Sequence, residues 1–312
     1  MDKQEIEIKR QVSKFFKIAE QRAKSNHCAL CNKFCLSFAN SHSVPQFVIK
    51  RIADNGKLIT YNDLEKLAIS KHGVKNAWTF HSICQNCENT NFSTYENEEL
   101  LLSEPTNKMM AEIALKNALL MKYKYRIDRE LDRQAVVAGM IGGETDVLSI
   151  INTLNIKDID FEIRRSKKII DKNLKSGYRL IYYKQLDWVA PIAFQNELCI
   201  HQNIDGNILN DIYNKSEKVR MQFLHVCVFP LKQNTVVMIF AHRDDRNYVP
   251  FERQFLKLDD ERKLEYINGL ILNHSEHILI SPVVYQLILQ SYKLLDLFEK
   301  VNFLSKEFAL YK

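Results

Sequence analysis

Two pairs of cysteines constrain this chain more than anything else in it: CALC at 28–31 and CQNC at 84–87. A C-x-x-C segment makes a tight knuckle that presents two sulfurs to one ion. Two such knuckles supply the four thiolates of a closed, tetrahedral structural zinc site; the other reading is a set of buried reduced thiols. The gap between the pairs, 84 − 31 = 53 positions, is longer than in a simple zinc ribbon and has room for a helix and a hairpin. Seven cysteines is an odd number, and MDKQEIEIKRQ at the N-terminus carries no apolar signal-peptide core. The pattern therefore points to metal in a cytoplasmic protein rather than to disulfides. Cys35 is a spare thiol and His27 a substitute ligand. Cys199 and Cys227 lie in strand-like apolar runs and read as core residues.

Charge gathers around the same region. Between Lys9 and Arg51 there are nine Lys or Arg against one acid, Glu20. Positive charge beside a zinc knuckle suits a phosphate backbone, because counterion release drives such binding. Lys9, Arg10, Lys14, Arg22, Lys24, Lys33, Lys50 and Arg51 are the candidate contacts; a solvated helix face is the other reading. No apolar run reaches the length a membrane helix needs, so a membrane partner is not expected.

The rest of the chain reads as α+β. Apolar spacing predicts an amphipathic helix over 3–25, then a short helix whose first turn holds Pro45, where a proline loses no helical hydrogen bond. Pro105 marks a boundary, giving a zinc module with its N-terminal helix at 1–104 and a helical segment plus α+β domain at 105–312. Thr106 or Asn107 can cap a long helix that begins MMAEIALKN. Further helical patterns run near 132–152, interrupted by Gly142-Gly143, and near 158–176. The period then changes to strands in YRLIYYKQLDWV, ELCIHQNI, MQFLHVCVFPL and NTVVMIFAHR. The last two predict a hairpin. Two or three helices close the chain, DDERKLEYINGLILN and PVVYQLILQSYKLLDLFEKV. Strands followed by helices, without regular alternation, argue against a doubly wound sheet.

The order of C-x-x-C, a polar residue before His42-x-x-Pro45, and C-x-x-C followed at once by a polar residue resembles the HNH (ββα-metal) nuclease module in its four-cysteine, treble-clef form. The resemblance covers about residues 28–96. The stretch also resembles poorly characterised bacterial proteins with S-H-x-x-P-x-F and a later C-x-x-C-E. The nuclease resemblance implies structural Zn²⁺ on Cys28, Cys31, Cys84 and Cys87, His42 as general base, and a second ion, Mg²⁺ or Mn²⁺, beside it. Two positions depart from the pattern. Ser41 stands where an acid is expected before the histidine, and Glu88 where a metal-binding Asn follows the last cysteine. Glu88 suits a hard cation, with Asn40 or Glu96 to supply a further oxygen. Glu96 lies eight positions on, where one helix would place it on the same face as Glu88. The structural alternatives are His42 against a carbonyl and Glu88 as a favourable charge near a helix N-terminus.

Two functions follow. One is a metal-dependent HNH-like endonuclease cutting phosphodiester bonds, DNA first, in a setting such as antiphage defence. The other is a non-catalytic, zinc-organised nucleic-acid or protein-binding subunit with a degenerate nuclease module. A regulatory protein or a second copy of the chain is the expected further partner. A third reading places activity in the C-terminal domain, but no motif there backs it: Walker A, G-x-G-x-x-G and G-x-S-x-G are all missing from the sequence. HRDDRN at 242–247 reads as a polar loop. Arg164, Arg165, Lys167, Lys168 and Lys172 read as a solvated helix face.

Overall fold

A computed structural model describes residues 3–60, 70–137, 145–214, 216–275, 277–285 and 301–310. Helix α1 spans Lys3–Ala23. The zinc segment then supplies β1 (Ser41–His42), α2 (Gln46–Ile52), β2 (Lys57–Thr60), β3 (Ser70–Gly73), β4 (Thr79–Phe80), α3 (Gln85–Asn91) and α4 (Glu98–Leu101). Two long helices follow, α5 (Asn107–Val137) and α6 (Thr145–Asp171). Then come β5 (Tyr178–Leu186), β6 (Ile192–Leu198), β7 (Leu224–Pro230), β8 (Thr235–His242), α7 (Tyr248–Leu256), α8 (Asp260–His274) and β9 (Leu279–Ile280).

The expected hairpin is present: β7 and β8 pair antiparallel from Leu224↔Ala241 to Pro230↔Thr235. ELCIHQNI is a different matter. Only Glu197 and Leu198 of it lie in a strand, because β6 starts earlier, directly after Pro191. A proline is tolerated just ahead of a first strand residue, and the apolar run Ile192–Phe194 carries the strand instead. The helical pattern across Gly142-Gly143 and most of the last helical stretch fall outside the described residues.

Seven strands form one antiparallel sheet in the order β3-β2-β9-β6-β7-β8-β5. Strands β2 and β3 come from the zinc segment and join the sheet through β9, so the sheet takes strands from both sides of residue 105. Its two faces follow strand alternation. Ala193, Cys227, Phe229, Met238 and Phe240 belong to the core shared with α5 and the zinc segment. Phe194, Val226, Val228, Val237 and Ile239 belong to the core that includes Phe251 and Phe255 of α7 and Ile267 and Ile271 of α8.

Helix α5 is the spine. Thr106 Oγ1 accepts the Met109 N–H at 3.2 Å and caps it. Every residue from Met109 to Leu120 is buried, the condition of a helix packed on all sides. That run includes three polar residues, Glu112, Lys116 and Asn117, each of which must find a partner or destabilise the core. Glu112 accepts the Thr94 and Tyr95 N–H groups, Asn117 meets His225 and Gln195, and the partners of Lys116 define the site.

Candidate metal centre and the lysine beside it

The four cysteines converge. Their sulfurs all lie within 4.8 Å of one another, and among the described residues this is the group of His, Cys and carboxylate side chains able to hold a metal ion. Cys28 and Cys31 sit on the first knuckle, with Asn32 N–H on the Cys28 carbonyl at 2.9 Å and Asn32 itself at a positive φ of 56°. Cys84 precedes α3 and Cys87 lies in its first turn. The Cys84 N–H points at Cys28 Sγ, 3.3 Å away. Burial pushes the Cys28 thiol up, but the peptide groups of Cys31, Cys84 and Leu30 outweigh it and bring it down to about 7. Thiolate-stabilising amides around a sulfur are what a zinc knuckle requires, so the donor set and its surroundings fit Zn²⁺. Cys35 instead donates its S–H to the Lys33 carbonyl at 3.3 Å, and the His27 ring lies edge-on to Phe34.

His42 is placed by the local sequence. Pro45 caps α2, and the two residues of β1 pair with β4 in the register Ser41↔Phe80 and His42↔Thr79. The half-buried imidazole has Nε2 3.1 Å from the Val74 carbonyl oxygen. A carbonyl can only accept, so Nε2 carries the proton and Nδ1 keeps its lone pair. Burial lowers the pKa of His42, against the raising effect of the Val74 bond. Trp78, just before β4, holds a positive φ of 48° with its ring edge-on to His277 at 4.3 Å.

Glu88 follows Cys87 on α3 and faces Ser41. The Ser41 hydroxyl donates to Glu88 Oε2 at 2.8 Å, and Lys116 of α5 donates to Glu88 Oε1 at 2.6 Å. Lys116 is fully buried, also pairs with Glu96 Oε1 at 3.2 Å, and lies 3.9 Å over the Phe92 ring. Burial pushes the Glu96 carboxyl up, against the pull of Lys116. Glu88 and Glu96 do meet at one point, though by a different route from the one expected. Helix α3 ends at Asn91, and the chain turns back so that both acids face the same ammonium. Asn40 points elsewhere, its amide donating to the Lys75 carbonyl at 2.9 Å.

These residues do not fit a second, divalent ion. Both Glu88 oxygens already accept a hydrogen bond, and Lys116 Nζ fills the point where Glu88 and Glu96 converge. A Mg²⁺ or Mn²⁺ is held through one or two carboxylates and its own waters, and a second cation in that corner would meet the Lys116 ammonium at contact distance. Lys116 was missed by sequence reading, although MMAEIALKN carried a signal: a lysine in a largely apolar helical run, with Ile113, Leu119 and Leu120 on its own face.

The basic residues divide. Arg10, Lys14, Arg22, Lys24, Lys33 and Lys50 are exposed. Arg51 is forked onto Glu98 at 3.0 and 3.1 Å. The side chain of Lys9 lies outside the described residues. In the C-terminal half, Arg165 is not part of a solvated face. It is buried and makes a two-pronged ion pair with fully buried Asp245 at 2.8 and 2.6 Å, beside Glu162. The polar loop HRDDRN therefore carries a core residue.

Among the described residues, no helix is long and apolar enough to cross a membrane. The chain matches no protein-family model, no curated protein and no solved structure.

Proposed function

We propose that the N-terminal segment is a zinc-organised, nuclease-like module that binds nucleic acid without hydrolysing it through a metal ion. The observation that carries this reading is the Lys116 ammonium between Glu88 and Glu96. In an HNH-like centre that corner supplies charge to a phosphodiester; here a cation with no exposed side-chain surface is paired with both acids. What remains for a ligand is the outer surface. Arg10, Lys14 and Lys17 recur at helical spacing on exposed positions of α1, continued by Lys24, and Lys33 lies on the first knuckle beside Phe34, which is 62% exposed. Basic side chains interleaved with an open aromatic ring suit a phosphate backbone and a base face.

The test is fluorescence anisotropy with labelled single- and double-stranded DNA at two salt concentrations, beside a Lys14→Glu/Lys24→Glu/Lys33→Glu variant. Binding that weakens steeply with salt and is lost in the variant supports the reading, and equal affinity of the two proteins defeats it.

A second reading, an active endonuclease, rests on His42. Its free Nδ1 and neutral ring are those of a general base awaiting a water. Plasmid incubated with the zinc-loaded protein and Mg²⁺ or Mn²⁺ decides between the two. Cleavage that disappears in His42→Ala would establish the nuclease.

A further inference from the structure

Strands β6 and β7 are joined by a long loop, residues 199–223, which passes α5 and α6 and leaves a cavity of about 230 Å³ between them. Helix α6 supplies wall from one face, where Ile151, Leu154 and Asp158 recur at helical spacing. The loop is tied to that helix. Lys157 pairs with Glu217 at 3.3 Å, and Asp158 Oδ2 accepts the Met221 N–H at 3.0 Å.

The rest of the lining carries little charge. Met221 and Phe223 of the loop share the wall with Tyr125 of α5, and aromatic rings and a thioether suit an aromatic guest. Among the described residues no Lys, Arg or His lines the cavity, and Asp158 is its one acid, already bonded to the Met221 N–H. Asn214 is committed in the same way, its Oδ1 accepting the Ser216 N–H at 2.9 Å. Burial pushes the Cys199 thiol up to about 12 and pushes the Tyr125 phenol up as well, so both are neutral at ordinary pH. That leaves Asn155 on the wall, an amide able to donate and to accept. Ile212 and Val219 line the cavity while 45% and 40% exposed, so it opens to solvent past apolar side chains.

These features select an uncharged guest. An apolar cavity of about 150 Å³ takes one benzene ring, and the space here is larger. An anion would meet Asp158, and a cation would leave its water for a single carboxylate that is already engaged. We propose that this cavity binds a small uncharged aromatic molecule of one or two rings, its body against Tyr125, Met221 and Phe223 and a hydroxyl or carbonyl substituent on the Asn155 amide. The site shares no residue with the nucleic-acid surface of the zinc module.

Met221 reports on it directly. The whole zinc-loaded protein is labelled at the methionine methyl carbons for nuclear magnetic resonance, and the Met221 signal is identified by its loss in Met221→Leu. Naphthylmethanol should shift that signal saturably, while Met109 and Met110, buried in α5, keep theirs. Naphthylmethylammonium and naphthoate have nearly the same shape and should each need at least about tenfold more for half-saturation, the effect of burying a poorly paired charge. Leu154→Trp fills the space and should weaken naphthylmethanol at least about tenfold. Val219→Trp should do the same from an exposed position, where the larger ring leaves the fold intact. No saturable shift of Met221, equal or tighter binding of the ammonium or the carboxylate, or full affinity in Val219→Trp would each overturn the proposal.

Discussion

Lys116 and Arg165 are both buried cations held by two carboxylates, and the contrast between them separates a candidate site from a structural joint. Arg165 is closed in on every side. Glu162 and Asp245 are fully buried, Tyr178 donates to Glu162 at 2.6 Å, and Arg220 adds a further bond to Asp245. Burial would push both carboxyls up, but Arg165 outweighs it and holds them down. At Lys116 the cation is just as deep, yet its acids reach outward, Glu88 14% and Glu96 36% exposed. Only the second arrangement has an edge that a solute can reach. It also stands one residue past a zinc ligand and beside His42. The difference lies in where the carboxylates point, since the cations are equally buried.

The largest effect should come from the metal. Zn²⁺ on the four cysteines would hold α3, and with it Glu88, against Lys116, whereas among the described residues no such cluster adjoins Arg165. Structural zinc sites contribute about 10–16 kcal/mol of apparent binding energy in small fingers. Chelation or Cys84→Ser should therefore expose residues 24–100 to limited proteolysis while the β5–β8 sheet stays protected. Uniform digestion of both regions would break the contrast.

Next in size is Arg165→Met. Leaving Asp245 and Glu162 buried without their cation should cost about 3–5 kcal/mol in urea unfolding. Lys116→Met should cost less, about 1–3 kcal/mol, because Glu88 and Glu96 can turn to water. A larger loss at Lys116 than at Arg165 would reverse the comparison.

Acid should act on the two regions with opposite sign. Burial lowers His225 to about 4, against the pull of Glu162, so the unfolded chain takes the proton first. Stability from this group is lost as pH falls from about 6.5 to 4, a change of at most about 3 kcal/mol. Glu162 and Asp245, held down, lose their contribution only at still lower pH. Glu96, pushed up, is relieved by its proton instead. Urea midpoints between pH 7 and 4.5 should thus fall for the wild type and fall less for His225→Gln. The smallest effect expected is Ser41→Ala, about 1 kcal/mol for one hydrogen bond to a carboxylate.

Much of this was legible in sequence, and the reasons differ by element. The zinc cysteines were readable because C-x-x-C spacing is itself the geometry of the knuckle. The cap at Thr106 and the β7–β8 hairpin were readable because both are local. Glu88 and Glu96 were singled out, but their meeting depends on a turn after Asn91 that no periodicity signals. The pairings of Lys116 and Asp245 were unreadable for a common reason: each is a charged residue whose partner is distant in sequence, 28 positions for Lys116–Glu88 and 80 for Arg165–Asp245. A charge in an apolar helix reveals that a partner must exist without revealing which.

The central claim is that Lys116 takes the cation's place beside Glu88 and Glu96. Titration of Mn²⁺ into zinc-loaded protein, followed by the loss of free-ion electron paramagnetic resonance signal, tests it most directly. The wild type should bind no Mn²⁺ at sub-millimolar concentration, and Lys116→Ala, with two acids released, should bind one. Stoichiometric binding by the wild type, abolished in Glu88→Gln, would contradict the claim and restore the divalent ion to this centre.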